Sequence, residues 1–138
     1  MEQASLDGPD LVALLPLLAW ATLELGDAER AASISAEAIQ LMRAMGMRVA
    51  LPNALRIQAM VAQRLGNRVM AETALAEAVT LADALNYPYA KAQALLAWAL
   101  LAPEDAASQE RLREARSIFT RLGASGDIAR TERALKAR

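Results

Sequence analysis

Residues 17–31 read LLAWATLELGDAERA, and residues 57–71 read IQAMVAQRLGNRVMA. Aligned at Gly26 and Gly66, 40 positions apart, the two share an order of parts. Each has an apolar run around an alanine (Ala19, Ala59), a Gly-Asp or Gly-Asn turn, and a second alanine after the turn (Ala31, Ala71). The match continues through Glu37-Ala38 and Glu77-Ala78 to Met45-Gly46 and Leu85-Asn86. A weaker third copy follows, with Glu114-Ala115 and Leu122-Gly123 lying 37 residues beyond their counterparts. Its turn, Ala102-Pro103-Glu104-Asp105, has no glycine and is one residue shorter. Self-similarity at such a period is the mark of a repeat architecture. The phrase LLAWA occurs at 17–21 and again at 95–99, 78 positions later, and holds both tryptophans of the chain. On this alignment Ala19, Ala59 and Ala97 share one slot, and Trp20, Met60 and Trp98 share the next.

Each copy reads as a pair of helices. In copy two, the first helix covers about 51–65, where Leu55, Ala59, Ala62 and Leu65 keep the spacing of one apolar face. Gly66-Asn67 ends it in the manner of a left-handed cap. The second helix covers about 69–85, with Ala71, Ala74, Leu75, Ala78, Leu81 and Leu85 on one stripe. Asn86 and Pro88 then stop it. In copy three, Pro103 with Glu104 and Asp105 reads as a helix start. Pro16 interrupts the first helix of copy one, which is expected to begin near Leu15 or to bend, since an interior proline removes a hydrogen bond. Gly123 to Gly126 read as an interhelix turn. The expected hairpins are 11–46, 49–86 and 88–123, followed by a terminal helix at 127–138 with Ile128, Thr131 and Leu135 facing inward. Residues 1–10 are expected to be flexible, and 11–138 to form one domain. Small side chains let helices cross at about 8–10 Å. Ala19 against Ala31, Ala59 against Ala71, and Ala38 or Ala78 against the following hairpin supply them.

Composition narrows the function. Alanine makes up about a quarter of the 138 residues and favours helix. A chain of this length buries roughly 65–70% of its unfolded surface without staples. There is no cysteine and no histidine, so disulfides, thiolate metal sites and the commonest general base are absent. No phosphate-binding loop or dinucleotide fingerprint is present, and nothing in the spacing selects a Ser-Lys pair. An enzyme, a metal site or a bound cofactor is therefore not expected. The apolar run 11–23 is too short to span a bilayer, and its flank (Glu2, Asp7, Asp10) has the wrong charge for a signal peptide. No membrane association is expected, and a cytoplasmic location is. The net charge is −1, which gives no general attraction for nucleic acid. The charge is nevertheless uneven. Residues 1–47 hold seven acids and two bases, and residues 108–138 hold four acids and eight bases. Such ends suit head-to-tail association.

The recurring alanines and Gly-Asp turns resemble the tetratricopeptide repeat over most of the chain, about 11–123. The quoted residues are Ala19, Gly26-Asp27, Ala31 and Ala38, then Ala59, Gly66-Asn67, Ala71 and Ala78. The period of 37–40 exceeds the usual 34 or so, and both the aromatic early in the first helix and the closing proline are missing. Armadillo and HEAT repeats share the longer period. The stretch 115–124, ARSIFTRLGA, is similar to the C-terminal repeat regions of bacterial signalling ATPases and LuxR-type transcriptional activators. The resemblance implies an all-α, right-handed superhelical stack of about three antiparallel hairpins plus a C-terminal helix. It also implies a non-catalytic interaction or regulatory module in bacterial signalling or transcriptional control.

In such a stack the first helix of each hairpin lines a concave groove. Carried onto this chain, the positions are Trp20 from copy one, with Leu23 and Glu24 beside it. Copy two contributes Asn53, Arg56, Met60, Gln63 and Arg64, and copy three contributes Lys91 and Trp98, with Ala94 and Leu101. Leu18 and Leu96 would pack inward, and Trp20, Met60 and Trp98 would form a ladder across the hairpins. Tryptophan, methionine and arginine favour binding hot spots. The basic residues beside Asn53 and Gln63 suit an acidic segment or a terminal carboxylate. Three readings stand: a protein or peptide partner in the groove, self-association into a homo-oligomer, and a small-molecule sensor. The tryptophans also have a plain structural reading, as fillers between hairpins.

Overall fold

The computed structural model describes residues 8–137, and all its regular elements are α-helices. They are α1 (Pro9–Glu24), α2 (Ala28–Met45), α3 (Leu51–Arg64), α4 (Arg68–Ala84), α5 (Pro88–Leu101), α6 (Ala106–Leu122) and α7 (Ser125–Lys136). The odd and even helices start differently. Helices α1, α3 and α5 each carry proline in their first two positions (Pro9, Pro52, Pro88), where its missing N–H is no loss. Helices α2, α4 and α6 each start from a side-chain cap. Asp27 accepts from the Arg30 amide, Asn67 from the Met70 amide and Asp105 from the Ala107 amide, at 3.0–3.1 Å.

The even helices also end alike. The Met47 amide donates to the Met42 carbonyl, the Tyr87 amide to that of Ala82 and the Ala124 amide to that of Phe119, at 2.9–3.0 Å. This closure needs a left-handed residue just past the helix. Gly46 takes it at φ 69° and Asn86 at φ 54°, asparagine being the usual substitute for glycine there.

Several expectations are revised. Pro103 lies outside α6, which starts at Ala106 with Asp105 as its cap. The buried Ser108 hydroxyl donates back to the Ala102 carbonyl and closes that glycine-free turn. Helix α1 runs through Pro16 from Pro9 rather than starting near Leu15. The terminal helix begins at Ser125, so Ser125 and Gly126 are helical. The segment 1–10 divides. Residues 1–7 lie outside the described part, whereas Gly8 is the N-cap of α1 and Pro9 and Asp10 belong to it.

Consecutive helices pack throughout. The pairs α1–α2, α3–α4 and α5–α6 are joined by α2–α3, α4–α5 and α6–α7, and the odd helices α1, α3 and α5 also touch in turn. The core is correspondingly divided into three clusters. One holds Ala19, Leu23 and Ala31 with Ile57 and Val61. The largest holds Ala59, Ala71, Leu75 and Ala78 with Ile39, Met42 and Ala94. The third holds Leu96, Leu112, Ile118 and Phe119, against which Ile128 and Leu135 of α7 lie. Ala19, Ala31, Ala38, Ala71 and Ala78 are essentially solvent-free, small contact residues of the kind that permit close helix crossing.

The spacing of the odd helices sets the register. Helices α3, α5 and α7 begin at Leu51, Pro88 and Ser125, each 37 residues after the last. The buried set Leu55, Ala59, Ala62 in α3 recurs 37 residues later as Ala92, Leu96, Ala99 in α5. Trp98 is therefore the counterpart of Val61, and Ala97 that of Met60. Aligning the two LLAWA phrases puts copy three one residue out, and one residue turns a helical side chain by about 100°.

Candidate functional site

That rotation decides which expected residues meet. Trp20 from α1 and Asn53, Arg56 and Met60 from α3 line one cleft of ≈ 280 Å³ together with Ala13, Pro16, Leu17 and Ile57. A second cleft of ≈ 640 Å³ shares Ala13, Pro16 and Asn53 with it and continues past Arg48 and Ala50 to Tyr87, Tyr89 and Gln93 of α5. The two form a single channel across the odd helices. Trp20 is 41% exposed, and its ring and the Met60 thioether offer the channel an adaptable apolar wall.

Arg56 is the charged centre of the channel. Its Nη2 donates to Asn53 Oδ1 at 2.8 Å, while its Nε is buried without a hydrogen-bond partner. Burial holds the guanidinium below its ordinary pKa, and the neighbouring Arg130 charge adds to this; Tyr89 and Asp127 oppose it. Arginine stays protonated at neutral pH even so. Asp127 is already engaged. It accepts the Tyr89 hydroxyl at 2.8 Å and Arg130 Nη2 at 2.9 Å. That contact raises the Tyr89 pKa, chiefly because the phenol donates to a carboxylate and secondarily by burial. The Tyr89 ring also meets Phe119 edge-on at 5.8 Å, which pins α5 to α6 and α7. The result is a partly satisfied, half-buried cation on the wall of an open apolar channel. An unmet donor in such a place is unfavourable until something accepts from it.

Lys91 and Trp98 do not join this channel. Lys91 Nζ sits between Asp83 of α4 at 3.0 Å and Glu114 of α6 at 2.9 Å, on a separate cleft of ≈ 370 Å³. These partners raise its pKa, Glu114 foremost. Trp98 donates from Nε1 to Glu72 of α4 at 3.2 Å, and the Arg111 guanidinium of α6 lies 3.7 Å over its ring. It is a tie between even helices, so the expected ladder of Trp20, Met60 and Trp98 stops at Met60. Gln63 and Arg64 are exposed at the end of α3, and Arg64 pairs with Glu24 at 3.8 Å. Leu23, Ala94 and Leu101 are core residues. Leu96 packs inward, but Leu18 is exposed.

Sequence reasoning passed over Arg48, Tyr87, Tyr89, Asp127 and Arg130. The signal for some of them was present. Arg56, Gln93 and Arg130 follow one another at 37-residue intervals, so a register read from helix starts puts all three on one face. No protein-family profile and no curated protein matches this chain.

Proposed function

We propose that the chain is a tetratricopeptide-like superhelical stack acting as a non-catalytic interaction module, and that its channel captures an acidic segment of a partner protein. A regulatory or scaffolding role in bacterial signalling or transcriptional control fits this reading. The observation that carries it is the half-buried Arg56 guanidinium, which lines a channel walled by Trp20 and Met60 and has Nε unmet beneath the surface. A carboxylate entering from the channel would meet a cation whose own acid neighbour is engaged elsewhere. Charge-assisted bonds of that kind are among the strongest available to a surface. Asn53 and Gln93 offer amide groups to a peptide backbone on either side, and the aromatic rings supply anchoring area at low entropic cost.

The test is a titration with fluorescent extended peptides carrying glutamates, against twins carrying glutamine. The expected result is binding of the acidic peptide alone, weakened at least tenfold in Arg56→Gln, a loss of about 1.4 kcal/mol. Lys91→Gln should leave binding unchanged, because Lys91 lies on another cleft. Equal binding of both peptides, or a loss with Lys91→Gln and none with Arg56→Gln, would remove the channel as the acidic-peptide site.

A further inference from the structure

Helix α1 is apolar on nearly every side, with Asp10 and Glu24 as its charges. Helices of that kind are covered all round, yet among the described residues α1 is covered on one side only. Val12, Pro16, Ala19 and Leu23 face the interior. On the opposite side Leu11, Leu14, Leu18 and Leu25 are 46%, 43%, 51% and 87% exposed. They follow a spacing of three or four and seven, which forms a straight seam along the helix. Leu17 widens the same face; Leu11, Leu14, Leu17 and Leu18 line a shallow apolar trough with Leu15 and Ala21, and Leu25 extends it at the C-cap.

The repeat shows what covers this face elsewhere. Counting 40 from Gly26 to Gly66, the counterparts on α3 of Leu11, Leu14, Leu18 and Leu25 are Leu51, Ala54, Gln58 and Leu65, and that of Ala21, which lines the same trough, is Val61. Leu51, Ala54 and Val61 are buried there, sharing clusters with Ile39, Met42 and Ala31 of α2, while Gln58 is half-buried and Leu65, at the end of the face, is exposed. A further 37 residues on, the counterparts on α5 include Lys91 and Trp98, which bond to Asp83 and Glu72 of α4. In both cases the cover is an even helix with a stripe of alanines. All three even helices of this chain are already sandwiched between odd ones.

Charge states which kind of helix would complete α1. The position Glu37, Glu77, Glu114 recurs along the even helices. Glu77 takes a two-pronged bond from Arg43 of the preceding even helix, at 2.6 and 3.0 Å. Glu114 takes Lys91, which also holds Asp83 of the preceding even helix. Glu37 has no basic partner among the described residues, and residues 1–47 carry a charge of −5 (two bases against seven acids). Two copies paired through α1 would bring two such acidic ends together, which like charges oppose. We propose that the α1 face docks an amphipathic helix of another protein. That helix would have a small-residue apolar stripe laid on Leu11, Leu14, Leu18 and Leu25, and basic flanks, one of them meeting Glu37.

The probe is a synthetic helix-forming peptide of 18 or so residues, with alanine and leucine at heptad spacing and lysines on its flanks. A twin of equal length carries glutamate in place of lysine. Binding to the full chain is read by anisotropy and by gain of helical circular dichroism. The expected result is that the lysine peptide binds and gains helix, and the glutamate twin binds at least tenfold more weakly. The chain variant Leu14→Glu with Leu18→Glu should weaken the lysine peptide at least tenfold while keeping its own helicity, since both residues are exposed. Glu37→Gln should weaken it a few-fold. Arg56→Gln should leave it unchanged, which separates this face from the channel. The proposal is overturned if the lysine peptide does not bind, if the twins bind alike, or if the leucine variant binds as well as the parent. It is equally overturned if sedimentation finds the unliganded chain dimeric and Leu18→Glu monomeric, which would give the face to a second copy.

Discussion

Helices α1 and α5 carry the same five letters and meet opposite fates. In α5, Leu96 is 2% exposed, Trp98 is held by a hydrogen bond and an arginine, and helices pack on both sides. In α1, Leu18 is half exposed and Trp20 faces a channel. Nothing within the phrase accounts for the difference. Its neighbours do: α5 lies between α4 and α6, whereas among the described residues α1 has only α2 and α3, to one side. A rotation of one residue adds to this, because the two phrases sit 78 residues apart in a fold whose spacing from α1 to α5 is 77 (40 to α3, then 37). Identical local sequence thus serves as core in one place and as surface in another, and the neighbouring helices assign the role.

The contrast can be broken most forcefully by truncation. Leu96→Ala should destabilise the chain by about 2–5 kcal/mol in chemical denaturation, whereas Leu18→Ala, its twin in the phrase, should stay within about 0.5 kcal/mol. Similar losses at both sites would mean that α1 is covered after all. Overpacking ranks next. Ala92 is fully buried in α5, so Ala92→Leu should cost about 1–3 kcal/mol, read as a lowered denaturation midpoint. Smaller again is the indole bond. Trp98→Phe should lose about 0.5–1.5 kcal/mol with its donor to Glu72, while Trp20→Phe should leave the midpoint unchanged.

The weakest expected effects are those of pH. Arg43 depresses the Glu77 pKa, mainly through their hydrogen bonds. Stability from this pair is therefore present above the ordinary value of 4.5 and is lost as pH falls through the lower folded value. Both groups are more than a third exposed, so the loss should be under about 1 kcal/mol and should shrink further in salt. Tyr89 has the opposite sign. Its raised pKa means that the bond to Asp127 contributes fully below the ordinary value of 10.0 and is lost as pH rises through the higher folded value. Helix α1 has no such tie, so alkaline unfolding should begin at α7, and Tyr89→Phe should abolish that dependence when followed by circular dichroism.

The all-helical character and the turn positions were legible because the relevant signals are local. Asp27 and Asn67 cap the helices they precede, and Gly46, Gly66 and Asn86 take the left-handed conformation that their positions demand. Half of the candidate site was legible for a related reason. Trp20, Asn53, Arg56 and Met60 stand on helices whose glycine turns fix the alignment. Lys91 and Trp98 were misplaced because copy three has no glycine at its first turn. The shared phrase then supplied a register of 38 residues from α3 to α5, where the helix starts keep 37. Pro103 misled in the same region, since Asp105 and the Ser108 hydroxyl, not a proline, close that turn. Tyr89, Asp127 and Arg130 were invisible because their meeting depends on how α7 lies against α5, which no local pattern states.

The most direct test uses the two tryptophans as reporters. Incorporating fluorinated tryptophan gives one resonance for Trp20 and one for Trp98, assigned by single replacement with phenylalanine. Titration with the acidic peptide should move the Trp20 resonance progressively and leave that of Trp98 still, because only Trp20 stands on the channel beside Arg56. A shift at Trp98 with Trp20 unmoved, or equal shifts at both, would contradict the register on which the channel is built.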